Sequence, residues 1–348
     1  MDVIMDCYFD SVFSELERSS LMVRYRRRQL VDYLNTVIEG CARGEDCDRE
    51  TAARRAVMAA VRYHDSSKSS NGDVCLMGKY HNIIYIAAKL CFDWRIQHNE
   101  VVVRILDNIY KCEGTFERII IGAIFGTRVT HMISGWKSDF EDAEENTEAI
   151  EYFLKHATKA RLEYDPFKDG NKTRFIDIPL ESYGRAQPIR LAAQFSNHTL
   201  LLLLLRHGAN FKIKYERDEM TLETPLKHLN ALCKANYPLS QDSSSVACLR
   251  TILRAIPCMA SFPCSSFYGS VSVLVDTLFG LERVYCHPRL IKEGIIPPSR
   301  AGFKPPELKH LCRCAIRDVL QENWQLPHGI RELPVPTSLQ DYLDLLQD

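Results

Sequence analysis

Residues 184–210 read GRAQPIRLAAQFSNHTLLLLLLRHGAN. Pro188 can open a helix at a position where its missing N–H costs nothing. Ala192 and Ala193 are small enough to let a second helix approach closely. That second helix is the leucine run Leu200 to Leu205, greasy enough to pack on neighbours at both sides, and Gly208 supplies a left-handed C-cap. The stretch is therefore a helix–turn–helix unit that cannot bury its apolar surface alone. Thr224-Pro225-Leu226 restarts the pattern thirty-seven residues after Pro188. A helix KHLNALCKA, a loop NYPLSQDSSS and a second helix ACLRTILRAIP follow, the last stopped by Pro257.

Segment 184–210 resembles an ankyrin repeat, with Pro188, Leu191, Ala192 and Ala193 matching its first helix, Leu200 to Leu205 its second and Gly208-Ala209-Asn210 its closing turn. The restart at Thr224 is close to the ankyrin period of about thirty-three residues plus a short insertion. Gln187 replaces the usual threonine, Arg190 histidine and Ser196 glycine, and one residue is added after Gly184. These changes weaken hydrogen bonding in the loops and leave the packing logic alone. Stacked repeats need caps at both ends.

Downstream, residues 307–346 read ELKHLCRCAIRDVLQENWQLPHGIRELPVPTSLQDYLDLL. At 100° per residue, Leu308, Leu311, Cys312, Ala315, Ile316 and Val319 share one arc of a helix, with His310, Arg313, Arg317 and Gln321 opposite. Pro327, Pro334 and Pro336 forbid a single long helix, so an extended turn and a short helix from Thr337 or Ser338 are expected. Roughly forty residues cannot bury this much apolar surface among themselves. Either the rest of the chain covers it or another protein does.

Leu308-x-x-x-Cys312-x-x-x-Ile316 resembles the elongin-binding box of the SOCS box. Ile330-x-x-Leu333-Pro334-Val335-Pro336-x-x-Leu339-x-x-Tyr342-Leu343 resembles its cullin-selecting box. One departure is Glu307, where a small residue or proline is usual before the leading leucine. The chain is accordingly identified as a member of the ankyrin repeat and SOCS box proteins. The resemblance implies an all-α fold: an ankyrin-repeat solenoid with a degenerate helical N-terminal region and a C-terminal three-helix SOCS box. It further implies a substrate receptor of a cullin-RING ubiquitin ligase. Leu308, Leu311, Cys312 and Ile316 would bind elongin C with its partner elongin B, Leu333, Pro334, Val335 and Pro336 would select Cullin-5 with its RING subunit, and the repeats would hold a target protein. A plain ankyrin scaffold whose tail packs on its own repeats is the alternative.

Upstream, residues 1–113 read as helices between polar turns. Leu21, Val23, Leu30, Leu34 and Ile38 make one stripe, ended by Gly40 or Gly44. Asp48 N-caps the run TAARRAVMAAVRYH, which stops before a loop DSSKSSNGD. HNIIYIAAKLCFDW and VVVRILDNIYKC follow. Arg24, Arg26, Arg27 and Arg28 fit the solvated side of a helix beside Glu15, Glu17 and Asp32. FERIIIGAIFG and EAIEYFLKHA read as a degenerate repeat split by the acidic SDFEDAEENT. The expected divisions are thus 1–113, 114–260 (degenerate to 183, firm over 184–257), a cap with GSVSVLVDTLFGLERVY and a Pro-rich connector over 261–304, and 305–348.

The 348 residues carry a net charge of −1. This balance implies no general attraction to nucleic acid or acidic membranes. Thirteen cysteines are scattered and odd in number, which fits a reducing compartment better than a disulfide framework. Acidic residues near the N-terminus and the lack of a long apolar run fit the cytoplasm and the nucleus. No cofactor is expected. His64-Asp65 reads as a capping or solvated pair at a helix end. Cys41-x5-Cys47 and Cys258-x5-Cys264 lack zinc spacing, and Cys312 and Cys314 point to different faces of a helix. No phosphate loop or G-x-S-x-G elbow occurs, and Cys286-His287 has no orienting partner. The expectation is therefore a non-catalytic protein with no metal.

Overall fold

The computed structural model describes residues 2–15, 24–43, 48–76, 79–134, 139–210, 222–259 and 287–348. Leu21, Val23, Gly44, Cys47, Cys264, Cys286 and the segment GSVSVLVDTLFGLERVY lie outside them. The chain forms two compact units, 1–181 and 182–348.

In the first unit, helices α1 (Asp2–Ser14), α2 (Arg24–Ala42), α3 (Arg49–Ser69), α4 (Lys79–Asp93), α5 (Asn99–Glu113), α6 (Glu117–Ser134) and α7 (Ala143–Ala160) are followed by a two-residue β1–β2 pair, Glu163–Tyr164 against Thr173–Arg174. The alanine-rich α3 is the hub, packing against α1, α2, α4 and α5. Its Ala52, Ala53, Ala56, Ala59 and Ala60 are fully buried. With no side chain beyond Cβ, they let several helices approach one axis, and Phe9, Phe13, Leu34, Ile38, Ile83 and Ile84 fill the space between. Asp48 caps α3 as expected, its carboxylate accepting from Thr51 N–H at 2.8 Å.

Four expectations for this unit are corrected in whole or in part. Of the two glycines expected to end α2, Gly40 does not: the helix runs through it to Ala42, because the buried Leu34 and Ile38 outweigh the roughly 0.5–1 kcal/mol that an interior glycine costs, and Gly44 lies outside the described residues. Helix α3 does not stop at His64 but continues to Ser69, and the turn falls on Gly72 and Asp73, both with positive φ. Arg27 is not solvated: it is 1% exposed and meets Asp139 at 2.6 Å, and Arg28 pairs with Glu141. The acidic stretch, read as a separator, also begins α7, with Asp142 capping it through Glu145 N–H at 2.8 Å.

His156 on α7 gives this unit a pH dependence. Burial first, then the positive charge of Lys159, push its pKa from 6.5 to about 4. Unfolding therefore takes up a proton in that window, so stability present above pH 6.5 is lost as the pH falls through about 4. Thermal midpoints measured from pH 7 to 4 should fall, and His156→Gln should have a flatter slope over the same range.

The second unit carries two helix pairs, α8 (Pro188–Gln194) with α9 (His198–Arg206) and α10 (Glu223–Lys234) with α11 (Ser244–Ala255). First helix packs on first and second on second, α8 on α10 and α9 on α11. Pro188 occupies the first turn, and Ala192, Ala193, Leu200 and Leu201 are buried. Gln187 makes no side-chain cap bond. Ser196 does not simply weaken its loop. It takes φ 52° where glycine would be unstrained, yet its hydroxyl meets that of Ser245 at 2.9 Å and links the two pairs. Helices α12 (Pro288–Lys292), α13 (Leu308–Glu322), α14 (His328–Glu332) and α15 (Thr337–Leu343) follow among the described residues.

Candidate functional site

Helix α13 turns its polar face inward. His310, Arg313 and Arg317 are 1%, 1% and 6% exposed, whereas Leu308 and Val319 on the apolar arc are 77% and 56% exposed. Leu311, Cys312, Ala315 and Ile316 are exposed as well. An ordinary surface helix has the opposite arrangement.

The partners of the buried polar groups account for the inversion. A helix ends with carbonyls that have no intrahelical donor and carry the negative end of its dipole. His310 Nε2–H donates to Ile256 O, just past α11, at 2.7 Å. Arg317 donates to Leu205 O, near the end of α9, and to Leu343 O at 2.9 Å. Gln321 Nε2 donates to Gly208 O at 2.8 Å. Residues 310, 317 and 321 lie on one face, and together they cap the second helices of both repeats. Gly208 is required here twice over: its φ is +80°, and a Cβ would meet Gln321 and Leu326 at 3.2 Å.

Further bonds fix the arrangement. Arg313 donates to His310 Nδ1 at 2.9 Å and stacks 4.1 Å from the Tyr342 ring, which leaves Nε2 of His310 as the protonated nitrogen. Burial lowers the His310 pKa, so the ring is neutral there. Arg206 grips the buried Asp344 at 2.7 Å, and Arg254 forks onto Asp348 at 2.8 and 2.9 Å. At the other end Glu307 accepts from Ser299 Oγ at 2.9 Å and pairs with Arg300 at 2.5 Å. The Arg300 bond is the main reason its carboxyl is held down at about 2. The unusual glutamate thus ties the connector to the start of α13.

Leu320 in the last turn of α13 and Leu326, Ile330 and Leu343 beyond it form a small core, with Leu333 and Val335 half-buried against it. Pro334 and Pro336 are exposed. Leu333 (φ −67°, ψ 136°) and Pro336 (φ −55°, ψ 150°) hold an extended, polyproline-like backbone. The docking role of His310, Arg313, Arg317 and Gln321 was not recognised from sequence, although their recurrence at helical spacing opposite the apolar arc was visible.

Residues 304–344 match the SOCS box family. The chain is a helical-repeat protein that ends in a SOCS box. It is similar to ankyrin repeat and SOCS box protein 17 of Mus musculus, 53% identical over 86 residues, which is 24% of this chain and 27% of that protein. The Homo sapiens protein of the same name is 40% identical and that of Canis lupus familiaris 37%, each over 83 residues, 24% of this chain and 27% of the relative. The match thus spans about a quarter of the length of these curated relatives. No solved structure matches. Among the described residues no helix is long and apolar enough to cross a membrane.

Proposed function

We propose that this chain is a non-catalytic substrate receptor of an elongin–cullin–RING ubiquitin ligase. Elongin C, with elongin B, would take Leu308, Leu311, Cys312 and Ile316. Cullin-5 and its RING subunit would be selected by Leu333, Pro334, Val335 and Pro336, and a target protein would sit on the repeat-bearing remainder. The receptor would act by raising the effective concentration of target lysines near a charged ubiquitin carrier. The observation that carries the reading is the outward apolar stripe of α13. A helix already anchored by its polar face leaves an exposed apolar surface that fits a partner, whereas a tail serving only its own repeats would turn that stripe inward.

Affinity purification of the chain from cell lysate tests the reading. Stoichiometric elongins B and C are expected, and their absence would favour a plain ankyrin scaffold. The cullin assignment has its own probe. Because Leu333 and Val335 also pack on the small core, Pro334→Ala with Pro336→Ala is the cleaner change. Losing the two rings' restraint should cost about 1–2 kcal/mol of pre-organisation, or roughly 5–30-fold in affinity. Calorimetry of parent and variant elongin complexes against the Cullin-5 N-terminal domain reads this directly. Equal affinities would remove the cullin role from this element.

A further inference from the structure

We infer that His64, Cys75, His81 and Cys112 hold one structural zinc ion in the first unit. The residues come from α3, the connection after it, α4 and the last turn of α5, and they converge within 4.8 Å of one another. Cys75 Sγ lies 3.4 Å from His64 Nε2 and 3.3 Å from His81 Nδ1, and Cys112 Sγ lies 3.5 Å from His64 Nε2. Tetrahedral zinc, at about 2.0–2.1 Å from nitrogen and about 2.3 Å from sulfur, sets N and S ligands about 3.5 Å apart.

The outer partners complete the case. His81 Nε2 meets Glu113 Oε1 at 2.6 Å, and His64 Nδ1 faces Asp65 Oδ1 at 3.4 Å. A carboxylate on the far nitrogen puts the proton there and leaves the inner nitrogen's lone pair aimed at the centre, as in carboxylate–histidine–zinc arrangements. Glu113 is itself held by Tyr85 Oη–H at 2.6 Å and by Arg118 at 3.2 Å, and Asp65 by Arg104 at 3.0 Å. One lone pair on His64 cannot serve two thiols by hydrogen bonding, but one cation can serve both sulfurs and both rings. His64 and His81 are 1% and 0% exposed.

Two sulfurs and two imidazoles select zinc over calcium or magnesium. Four protein ligands fill the coordination sphere and leave no position for a substrate water, so the ion's role is to clamp α3, α4 and α5 rather than to catalyse. His64 is therefore neither a solvated nor a capping residue, contrary to the sequence expectation.

The 348-residue chain, purified in reducing buffer without a metal-affinity step, should contain one zinc per chain by elemental analysis. After chelation, titration with Co²⁺ should give tetrahedral ligand-field bands and a charge-transfer band of two thiolates. Cys75→Ser with Cys112→Ser should lose both signals, and Glu113→Gln should bind zinc about 10–100-fold more weakly in competition with a chromophoric chelator. No metal, a metal other than zinc, or zinc retained by the double serine variant would each overturn the assignment. Should the double variant not fold, the parent's cobalt spectrum still decides: the absence of a thiolate band rules the site out.

Discussion

Leu308→Ala combined with Cys312→Phe should abolish recovery of elongins B and C while leaving the chain folded. Both residues are exposed, Leu308 by 77%, and they lie one turn apart on the face of α13 that points away from the repeats. Neither takes part in the bonds that His310, Arg317 and Gln321 make to Ile256, Leu205 and Gly208. Substitutions at such exposed positions usually move stability by no more than about 0.5 kcal/mol. At a buried interface, by contrast, truncating a leucine costs about 2–5 kcal/mol, at least thirtyfold in affinity, and the larger phenylalanine adds overpacking beside it. Pull-down with purified elongins and the thermal midpoint of the free chain separate the two effects. Undiminished recovery at unchanged stability would sink the proposed elongin face.

Residues 184–257 were legible because their signals are local: Pro188 at a helix start, alanines where helices touch, leucines where they stack and Gly208 at a C-cap. The tail was legible for a similar reason, since Pro327, Pro334 and Pro336 mark breaks that no packing can remove. Polar residues recruited by tertiary structure were harder. Arg27 sits in a run of arginines that reads as solvent-facing, and only the fold brings Asp139 to it. His310 and Arg317 read as the wet side of an amphipathic helix, because the helix-end carbonyls Ile256 O and Leu205 O that they satisfy belong to residues more than fifty positions away. The His64, Cys75, His81 and Cys112 set is the extreme case. Its ligands are spaced unlike any short zinc motif, and His64 to Cys112 spans three helices.

The docked polar face yields the second large effect. Arg317 is 6% exposed and donates to two backbone oxygens, Leu205 O and Leu343 O. Burial lowers its pKa to about 10, with Asp344 opposing the shift, so it stays charged from pH 6 to 9. Hydrogen bonds from a charged donor contribute about 1.5–3 kcal/mol each, and a buried carbonyl left unpaired costs about 1–3 kcal/mol. Arg317→Met keeps most of the volume but removes both bonds and strands Leu343 O, while Leu205 O keeps the Gly208 N–H at 3.0 Å, so a loss of about 2–4 kcal/mol is expected, a large share of the 5–15 kcal/mol typical of a domain. Arg317→Lys should rescue only part of it, because a single ammonium cannot reproduce a planar fork that reaches two carbonyls. Urea denaturation measures the loss, and amide exchange localises it: protection should fall first in α13 and at the end of α9. A methionine variant within about 0.5 kcal/mol of the parent would show that the tail is held chiefly by its apolar core and by the Arg206–Asp344 and Arg254–Asp348 pairs. In that outcome His310, Arg317 and Gln321 would fill the interface without holding it.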